Sequence, residues 1–261
     1  MSQHNGPARA LIVLNPAESK RLIAKGVAAR PEVVWAKQHG RIVVGNGTTN
    51  AFIVEELTGE PIDKVAYAAG VVWRGELGVT PGNGRLSPLV LIKGERVDRA
   101  YVEAVREFEA GDVFIKGANA VDPQGRAGVL LASDVGGTIG SVIGALAARG
   151  SHLIIAVGLE KLIPCVLTAA RKCGSRVVGR AHGIPSGLMP VVNATVVTEL
   201  EALRAFADVE ATHVASGGIE GSEGAVVIAL EGPAREVDRA LQIADSVKGE
   251  PPVRSRAVGS I

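Results

Sequence analysis

The chain has 261 residues, with 28 Lys plus Arg against 27 Asp plus Glu and a formal net charge of +1. It is long enough to bury a large core in one or two domains, and it lacks the global positive field that recruits nucleic acid or an anionic membrane. Aromatic residues are 3% of the total and the two cysteines, Cys165 and Cys173, stand eight apart, which excludes base-stacking platforms, a disulfide framework and a zinc knuckle.

Taken from the start, the apolar run 10–14 reads as a strand, broken by Asn15 and Pro16 before it reaches the length of a secretory segment. Asn15 can cap a helix, Pro16 suits its first turn, and Glu18 completes a capping box. Aliphatic runs then predict strands over 42–44, 64–73, 89–93, 113–116, 129–132, 153–157 and 176–178. Helices are expected over 49–57, 98–108, 138–149 and 160–172, and the Gly- and Pro-rich stretch 78–88 as a loop or flap. Such alternation predicts a mostly parallel, Rossmann-like α/β sheet flanked by helices, occupying residues 1–190.

Beyond Pro190 the order changes to strand 191–198, helix 199–207, strands 209–216 and 225–231, and helix 234–247. This order predicts a ferredoxin-like α+β domain over 191–250, followed by a flexible tail over 251–261. Neither 135–148 nor 181–198 is an unbroken apolar stretch of the roughly 18 residues that a spanning helix needs. The expectation is a cytoplasmic homo-oligomer with no membrane or nucleic-acid partner.

Two glycine-bearing turns sit where a strand hands over to a helix: GRIVVGNGTTNAF around Gly45, Asn46, Gly47, Thr48 and Thr49, and the stretch from Asn119 to Gly136, Gly137 and Thr138. In an open α/β sheet, ligands collect beyond the carboxyl ends of strands, where free amides at helix N-termini attract negative charge. The first turn lacks the Gly-Lys-Ser/Thr of a Walker A loop, and Asn50 stands at the third glycine position of the dinucleotide fingerprint. A nucleotide cofactor is therefore not expected. The five histidines show no spacing suited to a metal, so no metal is expected either.

The run KQHGRIVVGNGTTNAFIVEEL resembles the strand, turn and helix of type A ribose-5-phosphate isomerases. DVFIKGANAVDPQGRAGVLLASDVGGTIGSVIGAL and SHLIIAVGLEKLIP are similar to two later motifs of that family, in the same order over about 37–162. The resemblance implies membership of the wider sugar-phosphate isomerase and CoA-transferase-like superfamily. It places Thr48 and Thr49 at the phosphate-binding pair and Lys161 at a phosphate-binding lysine, while Asp122 keeps the family's Asp-Pro. It also implies lost catalysis: Lys116 and Asn119 replace two aspartates, Asp134 replaces a lysine, and the general-base glutamate falls at about Ile143.

An aliphatic side chain cannot shuttle a proton between carbons. The expected function is therefore binding of a phosphorylated or otherwise anionic metabolite without ribose-5-phosphate isomerase activity. One alternative is an isomerase or transferase with altered residues, for which Asp134, Asp122 and Lys116 are the catalytic candidates; another is a structural oligomerisation protein. Lys116 and Asp134 are further expected to form an ion pair of reversed polarity across the pocket.

Overall fold

A computed structural model describes residues 7–254. The chain opens with β1 (Ala8–Leu14) and α1 (Pro16–Ala28), whose start follows the expected chemistry. Asn15 Oδ1 accepts from the amides of Ala17 and Glu18, and Glu18 returns the bond to the Asn15 amide at 3.0 Å. Next comes α2 (Pro31–His39), a helix that the periodicity does not announce because it buries only Val33 and Ala36. Then follow β2 (Arg41–Val44), α3 (Thr48–Thr58), β3 (Gly70–Trp73), β4 (Glu76–Val79), β5 (Leu89–Ile92), β6 (Glu95–Arg96) and α4 (Tyr101–Arg106).

The middle of the chain supplies β7 (Val113–Gly117), β8 (Ala120–Val121), β9 (Ala127–Leu131), α5 (Gly137–Gly140), α6 (Ile143–Arg149) and β10 (His152–Ala156). A single 3₁₀ turn (Leu159–Lys161), α7 (Val166–Ala170), β11 (Gly187–Val191), β12 (Thr195–Val197), α8 (Glu199–Arg204), β13 (Glu210–Ser216), β14 (Val226–Gly232) and α9 (Ala234–Asp245) complete it.

Several expected elements are shorter than their apolar runs. Residues 160–172 divide around Pro164 into the 3₁₀ turn and α7, since proline cannot continue the hydrogen-bond ladder. Residues 64–67 form a turn pinned by Asp63, which accepts from the amides of Val65 and Ala66. Only the last four residues of the 64–73 run extend into a strand, β3. Residues 176–178 are a turn, with Val177 and Val178 donating to Gly174 O.

The main sheet has six strands in the order β12-β10-β7-β2-β5-β6. Its first four strands run parallel, while β5 and β6 join antiparallel at the other side. Strand alternation sends Ile42, Val44, Val113, Ile115, Ile154 and Ala156 to one face, where α1, α2 and α3 cover them. Val43, Phe114, Leu153, Ile155 and Val157 point to the other face, under α4, α5 and α6. On that second face lies a smaller antiparallel sheet, β11-β9-β8. Both faces are thus buried, which explains why β2, β7 and β10 read as unbroken apolar runs. No helix of the described residues is long and apolar enough to cross a membrane.

The C-terminal region departs from the expected layout. The run 191–198 does not form one strand: Asn193 takes a positive φ of 58° and splits it. β11 joins the β11-β9-β8 sheet, and β12 joins the edge of the main sheet beside β10. The third strand of the sheet that holds β13 and β14 is instead β1, from the other end of the chain, paired with β14 in antiparallel register from Ala8 opposite Gly232 to Leu14 opposite Val226. Ile12, Leu14 and Leu22 share a core with Ile228, Leu230, Val237 and Ala240. Of the tail 251–261, Val253 packs against the main core, and residues 255–261 lie outside the described ones.

Candidate functional site

Three neighbouring parallel strands end at the same edge of the main sheet, and each delivers part of one site. β2 leads through Gly45 and Asn46 into α3, β7 ends with Lys116 and Gly117, and β10 leads into the turn that carries Lys161. The three come together on a cavity of about 490 Å³, lined by Asn46, Gly47, Thr48, Thr49, Lys116, Asn119, Gly136, Gly137, Thr138 and Lys161. Lys20 from α1 and Arg85 from the loop before β5 also line it, and the β3–β4 hairpin forms a wall through Val71, Val72 and Leu77. That hairpin is tied down on its far side, where Leu77 N donates to His182 O and Ile184 N donates to Leu77 O.

The α3 N-terminus is open. Its N-cap is Gly47 at φ 156°, which offers no side chain to cap the first turn. Among the described residues, the amides of Thr48, Thr49 and Asn50 donate to no protein acceptor. Uncapped first-turn amides carry the positive end of the helix dipole. Neighbouring polar groups are already engaged in building the turn. Asn46 Nδ2 donates to Tyr67 O and Leu86 O, Asn50 Nδ2 donates to Gly45 O at 2.7 Å, and Gly47 N donates to Tyr67 O. Asn119 Oδ1 accepts from Leu130 N, stitching the β7–β8 connection to β9.

Gly45 does not face the cavity, and its place is beneath Lys116. A Cβ there would lie 3.0 Å from Lys116 Cδ and 3.6 Å from Thr138 Cγ2, so a glycine makes room for the lysine stem. Lys116 Nζ donates to Asn46 O at 3.2 Å. Burial, then the ammonium of Lys161, holds its pKa down to about 8.

Lys20 and Lys161 share one counter-ion, Glu160 Oε1, at 3.5 and 3.6 Å. Burial pushes Glu160 towards its neutral form, but Lys161 and Lys20 outweigh it and keep its pKa below the ordinary value. Behind it stands fully buried Glu199, whose carboxylate accepts from Leu159 N at 2.9 Å. Burial, then the charge of Glu160, raises the Glu199 pKa to about 7. Both carboxyl groups crowd Gly158, where an added Cβ would meet Glu160 Oε2 and Glu199 Oε1. The side chains of Lys20, Arg85 and Glu199 come from regions with no motif, the resemblance gives Glu160 no role, and what all four do emerges only from the tertiary arrangement.

Two expected residues lie elsewhere. Asp122 is buried, but it accepts from the amides of Gln124, Arg126 and Val166, closing a turn and holding the start of α7. Burial opposes ionisation there, and the three amides reverse it, keeping the pKa below the usual carboxylate value. Asp134 is exposed and pairs with Arg176 at 2.6 Å, with Ser175 Oγ donating at 3.2 Å. The reversed ion pair between Lys116 and Asp134 does not form, because Arg176 takes that carboxylate. Ile143, where the resemblance sets the general base, is a hydrophobic packing residue. Among the described residues no group of His, Cys, Asp and Glu gathers to hold a metal. No family model, curated protein or solved structure matches the chain.

Proposed function

We propose that this cavity binds a small metabolite by an acidic group, phosphate or carboxylate, without ribose-5-phosphate isomerase activity. The observation that carries the reading is the sign of the wall. Lys20, Arg85, Lys116 and Lys161 line the cavity beside the open α3 N-terminus, and no Asp or Glu among the described residues lines it. Glu160 behind the wall is shared by Lys20 and Lys161, so one carboxylate stands against four cations, and an anion meets the surplus with charge-assisted bonds from ammonium groups and amides together. The same feature argues against aldose–ketose isomerisation, which needs a carboxylate or comparable base at the reacting carbons.

The resemblance to ribose-5-phosphate isomerases supports the same grip, since its phosphate-binding positions are Thr48, Thr49 and Lys161. The test is calorimetric titration with inorganic phosphate and ribose 5-phosphate. Binding is expected in the parent protein and weakened about tenfold in Lys161→Ala, the loss of one charge-assisted contact of about 1.4 kcal/mol. Failure of every anion to bind, or binding unchanged in a Lys116→Met, Lys161→Ala double variant, overturns the reading.

A further inference from the structure

We propose that Lys116 is a nucleophile that forms an imine with a small aldehyde or ketone bearing a phosphate or carboxylate. The inference rests on the anion-binding reading for the grip on the substrate and on Lys116 for the chemistry. Three features of Lys116 distinguish it from the other lysines of the wall.

The first is its partner. Lys20 and Lys161 both sit against Glu160, but among the described residues Lys116 has no carboxylate within ion-pair distance, and its Nζ donates only to the carbonyl of Asn46. A structural ammonium is normally held by a counter-ion or led out to water. The second is placement. Lys116 lies near the carboxyl end of a strand buried on both faces, its stem packed over Gly45 and beside Thr138, so its amine is fixed at the cavity wall. The third is basicity. A pKa of about 8 leaves roughly one amine in four neutral at pH near 7.5, against about one in a thousand for an ordinary lysine. Desolvation beside a second cation is how imine-forming lysines are activated.

The step balances without an oxidant or reductant. The neutral Nζ adds to the carbonyl carbon, and its proton passes to the carbonyl oxygen to give a carbinolamine. The hydroxyl then takes the second Nζ proton and leaves as water, and the neutral imine nitrogen takes up one proton from solvent. Thr48 and Thr138 line the same cavity and offer hydroxyls to the departing oxygen. The acid group of the substrate is held by the first-turn amides of α3 and by Lys161.

The experiment uses the full chain with glycolaldehyde phosphate or with pyruvate under cyanoborohydride, read by intact mass and peptide mapping. Titration with inorganic phosphate is run alongside. The expected result is one adduct at Lys116 in at least one arm. The arm that labels identifies the acid group, and Lys116→Arg, which keeps the charge, lowers the adduct about tenfold or more. Adducts spread over other lysines and unchanged in Lys116→Arg overturn the proposal. Absence of a Lys116 adduct while phosphate still binds overturns the imine and leaves the anion site standing. Absence of both adduct and phosphate binding overturns both.

Discussion

Replacing Glu199 by glutamine should remove a pH dependence of stability that this one carboxyl creates. Glu199 is fully buried at the start of α8 and accepts from Leu159 N. It is faced by Glu160 on the 3₁₀ turn and by Ser19 and Lys20 on α1. Its pKa lies near 7, against 4.5 for an unperturbed glutamic acid. Between those values the native protein holds a proton that the unfolded chain has released, so folding takes up a proton and stability falls as pH rises. Stability from this group is complete below about pH 4.5 and gone once the pH has passed about 7. At about 1.4 kcal/mol per unit the whole interval is worth about 3 kcal/mol as a ceiling. Glu199→Gln keeps the shape of the protonated acid but does not titrate. Urea unfolding at about pH 5 and about pH 8 should therefore show the variant gaining some 2–3 kcal/mol on the parent between the two. Comparing the change across pH cancels any fixed cost of the amide. Parallel stability profiles for the two proteins would refute the reasoning.

Arg21→Met should cost about 3 kcal/mol in urea unfolding, because Arg21 bonds Glu55, Glu56 and Glu250 at 2.5, 3.0 and 2.8 Å and would leave them facing one another. The cost should shrink at acid pH as those carboxylates protonate; a loss under about 1 kcal/mol at neutral pH contradicts the account. Asp122→Ala should destabilise by about 2 kcal/mol through three lost acceptor contacts. Phosphate affinity by calorimetry should stay unchanged there, because Asp122 does not line the cavity.

What could be read from the sequence follows the range of the forces involved. The Asn15 capping box and the buried parallel strands depend on neighbours within a few residues, and they fold as expected. The turn from Gly45 to Thr49 was visible for the same reason, as was its position at a strand end. Elements whose ends are set by distant partners were not: α2 carries too few buried residues to show a period, and the split at Asn193 is fixed by which sheet each half joins. In the site, Lys161 and Lys116 stand out through the resemblance to ribose-5-phosphate isomerases, but Glu160, the acidic neighbour of Lys161, does not. Glu199 reads in sequence as one of several first-turn carboxylates of a capped helix, and only the packing of α1 and the 3₁₀ turn over it makes it a buried acid. Asp134 was misjudged for the converse reason, since its partner Arg176 lies 42 positions away in a turn without a motif.

The pairing of β1, at the start of the chain, with β14, near its end, governs how this molecule is made. Arg9 must find Glu231, 222 positions downstream, so on a ribosome the first strand emerges long before its hydrogen-bonding mate exists. Its core residues Ile12 and Leu14 stay uncommitted for most of translation, a window in which chaperones or aggregation compete for them. Completion of the small sheet is consequently a closing event of biogenesis: without β14 the first strand has no mate, whereas without β1 the β13–β14 hairpin keeps its pairing and exposes the other edge of β14.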